Sequence, residues 1–254
     1  MLNVEYAQLS RDSRDRESES CFASIVPRTT EHRRTHGWLF AVGDEVGNEK
    51  DAANSLAFVL RDIAAAFSSS SPYELHRALL PRVIQQTNAK LLQTGSENNS
   101  PIALLTCALR SDCAVVCHVG DLRCYLIRRG HAELLTRDHT VVNDSRRLGS
   151  IPDRDSARTS ERQHLTRSIG TDTFVAVDVT ERQITPGDVL LACSHGFYSG
   201  VREVDMELII SDNRDLRSAA RELISAAAEG ERSTGMISVQ LMRIGESVDT
   251  RTKA

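Results

Sequence analysis

The stretch VVCHVGDLRCYLIRRGHAELLTRDH, residues 115–139, decides how the rest of the chain is interpreted. It contains three short runs of residues that suit a pleated strand, separated by the pairs Gly120-Asp121 and Arg129-Gly130. Glycine adopts positive φ without a steric penalty, so each pair is typical of a tight turn. We therefore predict an antiparallel meander with strands at 115–119, 124–127 and 133–136.

Hydrophobic periodicity extends this prediction along the chain in both directions. Apolar residues at helical spacing indicate helices at 52–67, 74–92, 206–210 and 216–228, with a short helix at 141–148. Apolar runs of strand length lie at 4–9, 21–26, 37–42, 102–109, 175–180, 189–193 and 237–244. Strands and helix pairs that alternate in this order predict two layers of each.

Composition and charge restrict the class of protein. A chain of 254 residues with a net charge of −4 can bury a large core, and its charge gives no reason to expect nucleic acid as a partner. No apolar run approaches the roughly 18 residues of a membrane helix. The first residues, MLNVEYAQLSRDSRDRESES, lack the apolar core of a signal peptide. We expect a cytoplasmic protein that binds neither nucleic acid nor membrane.

The cysteines are expected to be buried and reduced. They lie at positions 21, 107, 113, 117, 124 and 193, mostly within apolar runs, and none forms a C-x-x-C pair. A zinc site built from Cys113, Cys117 and His118 remains an alternative, although the spacing lacks a fourth ligand.

The opening stretch resembles the central signature of the metal-dependent protein phosphatases of type 2C, the PPM family. In that family the turn reads GDSR and the later segment LTxDHS, and here they read GDLR at 120–123 and LTRDH at 135–139. LTRSIGTD at 165–172 resembles the family's LTRALG segment, and the likeness covers roughly residues 4–244. The resemblance implies an α+β fold, a four-layer α/β/β/α sandwich, in one domain spanning 1–245. A variable flap at 140–164 and a disordered tail at 246–254 complete the expectation.

Members of this family hold two Mg or Mn ions that activate a water for attack on phosphoserine or phosphothreonine. The family supplies the ligands, mainly aspartates, at four places. In this chain the matching places carry Ser20 (preceded by Glu19), Asp44 (followed by Glu45), His195 and Gly235-Met236. The resemblance therefore leaves Asp44 as the retained aspartate, with a backbone carbonyl from Glu45 and an imidazole from His195 as further ligands.

Other charged residues are interpreted as framework. Asp121 and Asp188 each follow a glycine and are expected to cap their own turns. Arg123 and the pair Asp138-His139 belong to the same framework. Arg14 and Arg16 lie near the place where the family has a phosphate-binding arginine. The alternative interpretation is that both are solvated surface charges.

Two hypotheses about function follow. In the first, the chain is a pseudophosphatase of the bacterial branch that holds at most one metal and binds a phosphoprotein, a kinase or an active phosphatase partner. In the second, it is an active serine/threonine phosphatase whose altered site uses Asp44 and His195 to hold one softer cation, because imidazole suits Mn, Zn or Fe. His195 could instead simply fill the space of an absent aspartate. An unrelated function on the same sandwich is a third possibility.

Overall fold

Two antiparallel β-sheets pack face to face, and helices cover the outer side of each sheet. A computed structural model of the chain describes residues 2–12, 17–18, 20–46, 52–94, 100–147, 164–230 and 235–245. The arrangement confirms the predicted α+β fold with four layers.

Within the described residues, eleven strands form the two sheets. In chain order they are β1 (Asn3–Arg11), β2 (Glu17–Ser18), β3 (Phe22–Ile25), β4 (Trp38–Glu45), β5 (Ile102–Arg110), β6 (Cys113–Val119), β7 (Arg123–Arg128), β8 (His131–Leu134), β9 (Asp178–Gln183), β10 (Val189–Cys193) and β11 (Ile237–Gly245). The six-stranded sheet has the order β2-β1-β11-β10-β7-β8, and the five-stranded sheet has the order β3-β4-β5-β6-β9. The neighbouring strands in both sheets are antiparallel.

The helices divide between the two outer faces. They are α1 (Thr30–Thr35), α2 (Ala52–Ser68), α3 (His76–Gln93), α4 (Val141–Arg147), α5 (His195–Gly200), α6 (Glu203–Asp212) and α7 (Leu216–Glu229). Helices α2 and α3 pack on the five-stranded sheet, and α5, α6 and α7 pack on the six-stranded sheet. Among the described helices, none combines the length and the apolar character needed to cross a membrane.

The pattern of burial follows from this layering. Residues 102–109 of β5 are all buried, because one face of the strand meets the other sheet and the opposite face meets α2 and α3. A strand covered on both faces reads as a continuous apolar run. Strand β9, at the edge of the same sheet, instead alternates between half-buried and exposed side chains.

The prediction of a meander in the opening stretch is wrong in one respect. Strand β6 does not pair with β7; it lies between β5 and β9, while β7 and β8 form a hairpin in the other sheet. The chain changes sheet at Gly120, where φ is +99° and a Cβ would lie 2.6 Å from the Cβ of Ala103. An apolar run followed by Gly-Asp is compatible with a hairpin or with a crossing between sheets, because local pattern does not identify a strand's partner.

Several element boundaries also differ from prediction. Strand β8 lies two residues before the predicted 133–136, and β9 begins at Asp178 rather than at 175. Helices α1 and α5 were not predicted, because α1 buries none of its residues and α5 has six residues, too few for a periodic pattern.

The cysteines are free thiols, five of them buried, and only Cys113 is half-buried. The alternative zinc site does not form, since no cysteine belongs to a group of three candidate ligands among the described residues. Cys113 and Cys117 lie on one strand, about 13 Å apart along it. The predicted tail at 246–254, the flap residues 148–163, and Glu19, Arg14 and Arg16 lie outside the described residues.

Candidate active site

Asp44 lies near the end of β4, against the segment that precedes β3. The backbone N–H of its neighbour Gly43 donates a hydrogen bond of 2.9 Å to the carbonyl O of Cys21, the residue after Ser20. The Cys21 thiol in turn lies 3.5 Å from the hydroxyl of Ser238 at the start of β11. Burial raises the pKa of this thiol, so Cys21 remains protonated beside Asp44. The segments that carry Ser20, Asp44 and Gly235-Met236, three of the four places where the family has metal ligands, therefore lie together.

Ser194 ties the third predicted place, His195, to the fourth. The Ser194 hydroxyl donates to the carbonyl O of Met236 at 2.7 Å and accepts from the backbone N–H of Ser238 at 3.0 Å. These bonds fix the end of β10 against the start of β11, and α5 begins at His195. All four places predicted to carry ligands thus converge at one end of the sandwich.

The turn that carries Asp121 adds a carboxyl group that the sequence analysis assigned only to the framework. Ala103 pairs with Asp44 across the β4–β5 ladder, and Gly120 packs directly on Ala103. Asp121 therefore sits one strand away from Asp44, with 6% of its surface exposed. Since β4 and β6 flank β5 and both end at the same end of the sheet, the strand order alone would have revealed this proximity.

The two carboxyl groups share an environment that opposes ionisation. Burial raises the pKa of Asp44 to about 7, and the negative charge of Asp121 adds to the effect. Burial likewise raises the pKa of Asp121 to about 6, with the charge of Asp138 next in importance. Near neutral pH the pair can bind a cation or retain a proton.

The side chain of Glu45 points toward helix α2. Its Oε1 accepts a hydrogen bond of 3.2 Å from the backbone N–H of Leu56. Burial raises the pKa of Glu45, and the hydrogen bond from Leu56 opposes that rise. Glu45 therefore connects the end of β4 to α2, which leaves Asp44 and Asp121 as the closely placed carboxylates.

His195 contacts the same turn through an aromatic neighbour. Its ring packs edge-on against Tyr198, with ring centroids 5.1 Å apart. The Tyr198 hydroxyl donates to the backbone carbonyl of Asp121 at 3.0 Å, and the Arg123 guanidinium lies 3.8 Å from the Tyr198 ring centroid. Burial raises the pKa of Tyr198 far above its usual range, so the phenol keeps the proton that it donates. Tyr198 therefore positions His195 relative to Asp121.

Arg123, Asp138 and Asp188 were predicted as framework and are confirmed in that role. Arg123 binds Asp138 through two hydrogen bonds of 2.9 and 2.7 Å. Asp188 accepts from the Thr185 backbone N–H at 2.7 Å, as a turn cap does, and also binds Arg128 through two bonds. Burial works against ionisation of Asp188, but these bonds outweigh it and lower its pKa.

The described residues contain one group of three candidate metal ligands, whose donor atoms lie within 4.8 Å of one another: His118, His139 and Asp178. The planes of the two rings are stacked at an angle of 17°. Their ring-nitrogen lone pairs therefore lie in two nearly parallel planes and do not converge on one ion. His139 Nδ1 accepts from the Gly120 N–H at 3.1 Å, which leaves the proton of the neutral ring on Nε2, 3.2 Å from Asp178. Arg167 already binds Asp178 at 2.7 Å. The group is a hydrogen-bonded support for the Gly120 turn.

Comparison with known proteins agrees with this architecture. The family model for protein phosphatase 2C matches residues 5–234. The serine/threonine phosphatase stp of Listeria monocytogenes serotype 4b is 28% identical over 216 residues, which span 79% of this chain and 86% of that protein.

Solved structures show the same fold. The serine/threonine phosphatase of S. agalactiae superposes with a TM-score of 0.82 at 22% identity, over 96% of this chain and 100% of that one. The PPM Ser-Thr phosphatase MsPP from Mycobacterium smegmatis, solved in complex with cacodylate, gives 0.76 at 26% identity over 95% and 98% of the two chains. The chain is therefore a member of the protein phosphatase 2C family.

Proposed function

We propose that this protein is a pseudophosphatase, which acts in serine/threonine phosphorylation signalling by binding rather than by hydrolysis. The observation that carries the proposal is the donor set at the convergent end of the sandwich. The carboxylates that lie close together there are Asp44 and Asp121, while the other matched places carry Ser20, His195 and Gly235.

A count of charges explains why this set suits two dications poorly. Two ions about 4 Å apart repel by roughly 16 kcal/mol at an effective dielectric of 20. They carry four positive charges, and ionised Asp44 and Asp121 offset two of them. The Glu45 carboxylate points toward α2, where it accepts from the Leu56 N–H, so its charge acts from outside the donor set, and His195 contributes no negative charge when neutral. An excess of buried positive charge is costly, whereas a single dication would be balanced. We therefore expect at most one metal ion.

The proposed partners are a phosphoprotein, a kinase or an active phosphatase. The family membership supports a place in phosphorylation signalling, and the net charge of −4 gives no electrostatic reason for binding nucleic acid or an anionic membrane.

Titration with Mn²⁺ in a calorimeter tests the charge argument. Wild type should bind no more than one ion per chain at millimolar concentration, and Asp44→Asn should abolish that binding. Asp188→Asn is the matched control, because it changes an aspartate in a similar Gly-Asp turn away from the site. Two ions bound per wild-type chain would contradict the proposal.

A second candidate function is an active phosphatase that uses one softer cation held by Asp44, Asp121 and His195. The observation in its favour is the contact of Tyr198 with both His195 and the Asp121 backbone, because imidazole is a suitable ligand for a softer cation. This candidate predicts turnover that depends on Mn or Zn and that both Asp44→Asn and His195→Ala abolish. Turnover that survives either substitution would exclude it.

A further inference from the structure

A groove lies at the opposite end of the five-stranded sheet from Asp44. It has a volume of about 620 Å³ and is bordered by the end of β3, the segment that follows it, α1 and the end of α2. Its apolar lining includes Ile25, Val26 and Phe67, and its polar lining includes Arg28 and His32. Val26 is 44% exposed, which leaves an apolar side chain open to solvent beside the groove.

The strand register separates this groove from the candidate active site. Ile25 pairs with Leu39 near the start of β4, whereas Asp44 lies near the other end of that strand. At about 3.4 Å per residue, Leu39 and Asp44 are roughly 17 Å apart along the strand. A ligand in the groove would therefore not contact Asp44, and the groove could serve an active or an inactive enzyme alike.

Positive charge without an ion-pair partner among the described residues lies in and beside the groove: Arg28 is part of its lining, and Arg33 and Arg34 lie on the neighbouring helix α1. Arg28, Arg33 and Arg34 form no ion pair and no side-chain hydrogen bond with any described residue, and Glu31 is the one acidic side chain in residues 27–36. The buried Nε of Arg33 has no hydrogen-bond acceptor, and its guanidinium lies 5.6 Å from the Trp38 ring centroid. A chain with a net charge of −4 thus concentrates unpaired arginines at one place.

The groove also borders the end of an edge strand, because Ser24 and Ile25 of β3 are part of its lining. Among the described strands, β3 pairs with β4 alone and leaves its other side without a strand. Such an edge can accept an extended peptide through main-chain hydrogen bonds, while neighbouring pockets select its side chains. The strand edge would orient an extended peptide, the apolar lining would bind one of its apolar side chains, and the arginines would favour anionic groups beside it.

We propose that this groove, formed by Ile25, Val26, Arg28, His32 and Phe67, docks an extended acidic peptide segment of a partner protein. The shared chemistry is an apolar side chain flanked by anionic groups, which glutamate, aspartate or phosphoserine can provide. The proposal goes beyond the proposed function, because it assigns a binding surface that does not involve the convergent end of the sandwich.

A peptide array tests the chemistry of the occupant. The full chain is probed against peptides that alternate valine with glutamate, aspartate, phosphoserine, serine or lysine. Binding to the glutamate, aspartate or phosphoserine peptides is expected, with none to the serine or lysine peptides. Comparison of the glutamate and aspartate peptides with the phosphoserine peptide shows whether carboxylate or phosphate is the preferred group. Equal binding to all five classes, or to none, would overturn the proposal.

Fluorescence anisotropy with the best acidic peptide then tests the location. The double substitution Arg28→Glu with Arg34→Glu should weaken binding by about tenfold or more, because Arg28 lines the groove, where arginine is a common binding hot spot, and Arg34 adds to the positive charge beside it. The matched control reverses two exposed arginines elsewhere, Arg61→Glu with Arg214→Glu, and should change binding by less than about twofold.

Two further results make the outcome decisive. Circular dichroism of each variant confirms that the exposed substitutions leave the fold intact, and Asp44→Asn should bind the peptide as wild type does. Loss of peptide binding in Asp44→Asn, or full affinity in the Arg28 and Arg34 double variant, would place the peptide elsewhere and refute the groove assignment.

Discussion

Replacement of Gly120 by alanine should damage the turn that carries Asp121. Gly120 has φ of +99°, and a Cβ at this position would lie 2.6 Å from the Cβ and 2.9 Å from the Cα of Ala103. Ala103 belongs to a central strand and pairs with Asp44, so it has little freedom to move. Gly187 provides a matched control, because it also precedes an aspartate and has φ of +94°, yet a Cβ there meets nothing within 4 Å.

The expected loss of stability in the glycine-to-alanine variants has two causes. An alanine with positive φ costs about 1–2 kcal/mol, and this cost applies to both substitutions. The steric overlap with Ala103 adds about 1–3 kcal/mol of overpacking, and it applies to Gly120→Ala alone. The lower entropy of the unfolded chain stabilises both variants to a similar extent and cancels in the comparison. Gly120→Ala should therefore be destabilised by about 2–5 kcal/mol and Gly187→Ala by about 1–2 kcal/mol.

Urea denaturation measures this difference directly. Trp38 is the one tryptophan of the chain and is 2% exposed, so its fluorescence reports unfolding of the sheet that contains Ala103. The free energies of unfolding of the two variants should differ by about 1–3 kcal/mol. Equal destabilisation of Gly120→Ala and Gly187→Ala would refute the close packing of the Asp121 turn on Ala103.

Three further predictions follow from buried charges and hydrogen bonds. Arg123→Lys should cost about 1–3 kcal/mol, because lysine cannot make the paired hydrogen bonds to Asp138. Arg202→Lys, in a bidentate pair whose arginine is 79% exposed, should leave the urea midpoint almost unchanged, and equal midpoints for the two variants would contradict this prediction. Burial, followed by the charge of a neighbouring histidine, lowers the pKa of His139 to about 4, so stability should fall as pH drops from about 6.5 to 4, and His139→Asn should flatten that slope in acid titrations. Burial raises the pKa of Asp44 to about 7, so with EDTA present the free energy of unfolding should fall as the pH rises from about 4 to 7. Asp44→Asn should therefore be more stable than wild type at pH 8 by about 1–3 kcal/mol. A variant less stable than wild type at this pH would refute the burial argument.

The sequence predicted the layers and most elements because their signals are local. Helices α2 and α7 present apolar residues at helical spacing, and β5 is an uninterrupted apolar run. The hairpin of β7 and β8 follows from the Arg129-Gly130 pair, in which both residues adopt positive φ.

The sheet assignment of β6 could not be predicted in the same way. Which strand β6 joins depends on contacts with β5 and β9, and β9 lies more than fifty residues later in the chain. Helix α1 was missed because none of its residues is fully buried, although Thr29, whose hydroxyl accepts from the His32 N–H, is a recognisable N-cap.

The sequence identified in part which segments the structure brings together. The sequence identified Asp44 and His195 from their positions within matched segments, and the structure brings those segments together. It assigned Asp121 to turn capping, because a Gly-Asp pair does not reveal what lies beside the turn. The contact between the Asp121 turn and Ala103 is a property of packing between strands, and only the three-dimensional arrangement places a second carboxyl group beside Asp44.

The most direct test of the central claim is hydrolysis of p-nitrophenyl phosphate by the purified chain in Mg²⁺, Mn²⁺ and Zn²⁺, with Asp44→Asn assayed beside it. The pseudophosphatase proposal predicts that wild type shows no turnover above the variant in any of the three metals. Metal-dependent turnover that disappears in Asp44→Asn would contradict the proposal and would show that Asp44 belongs to a working site.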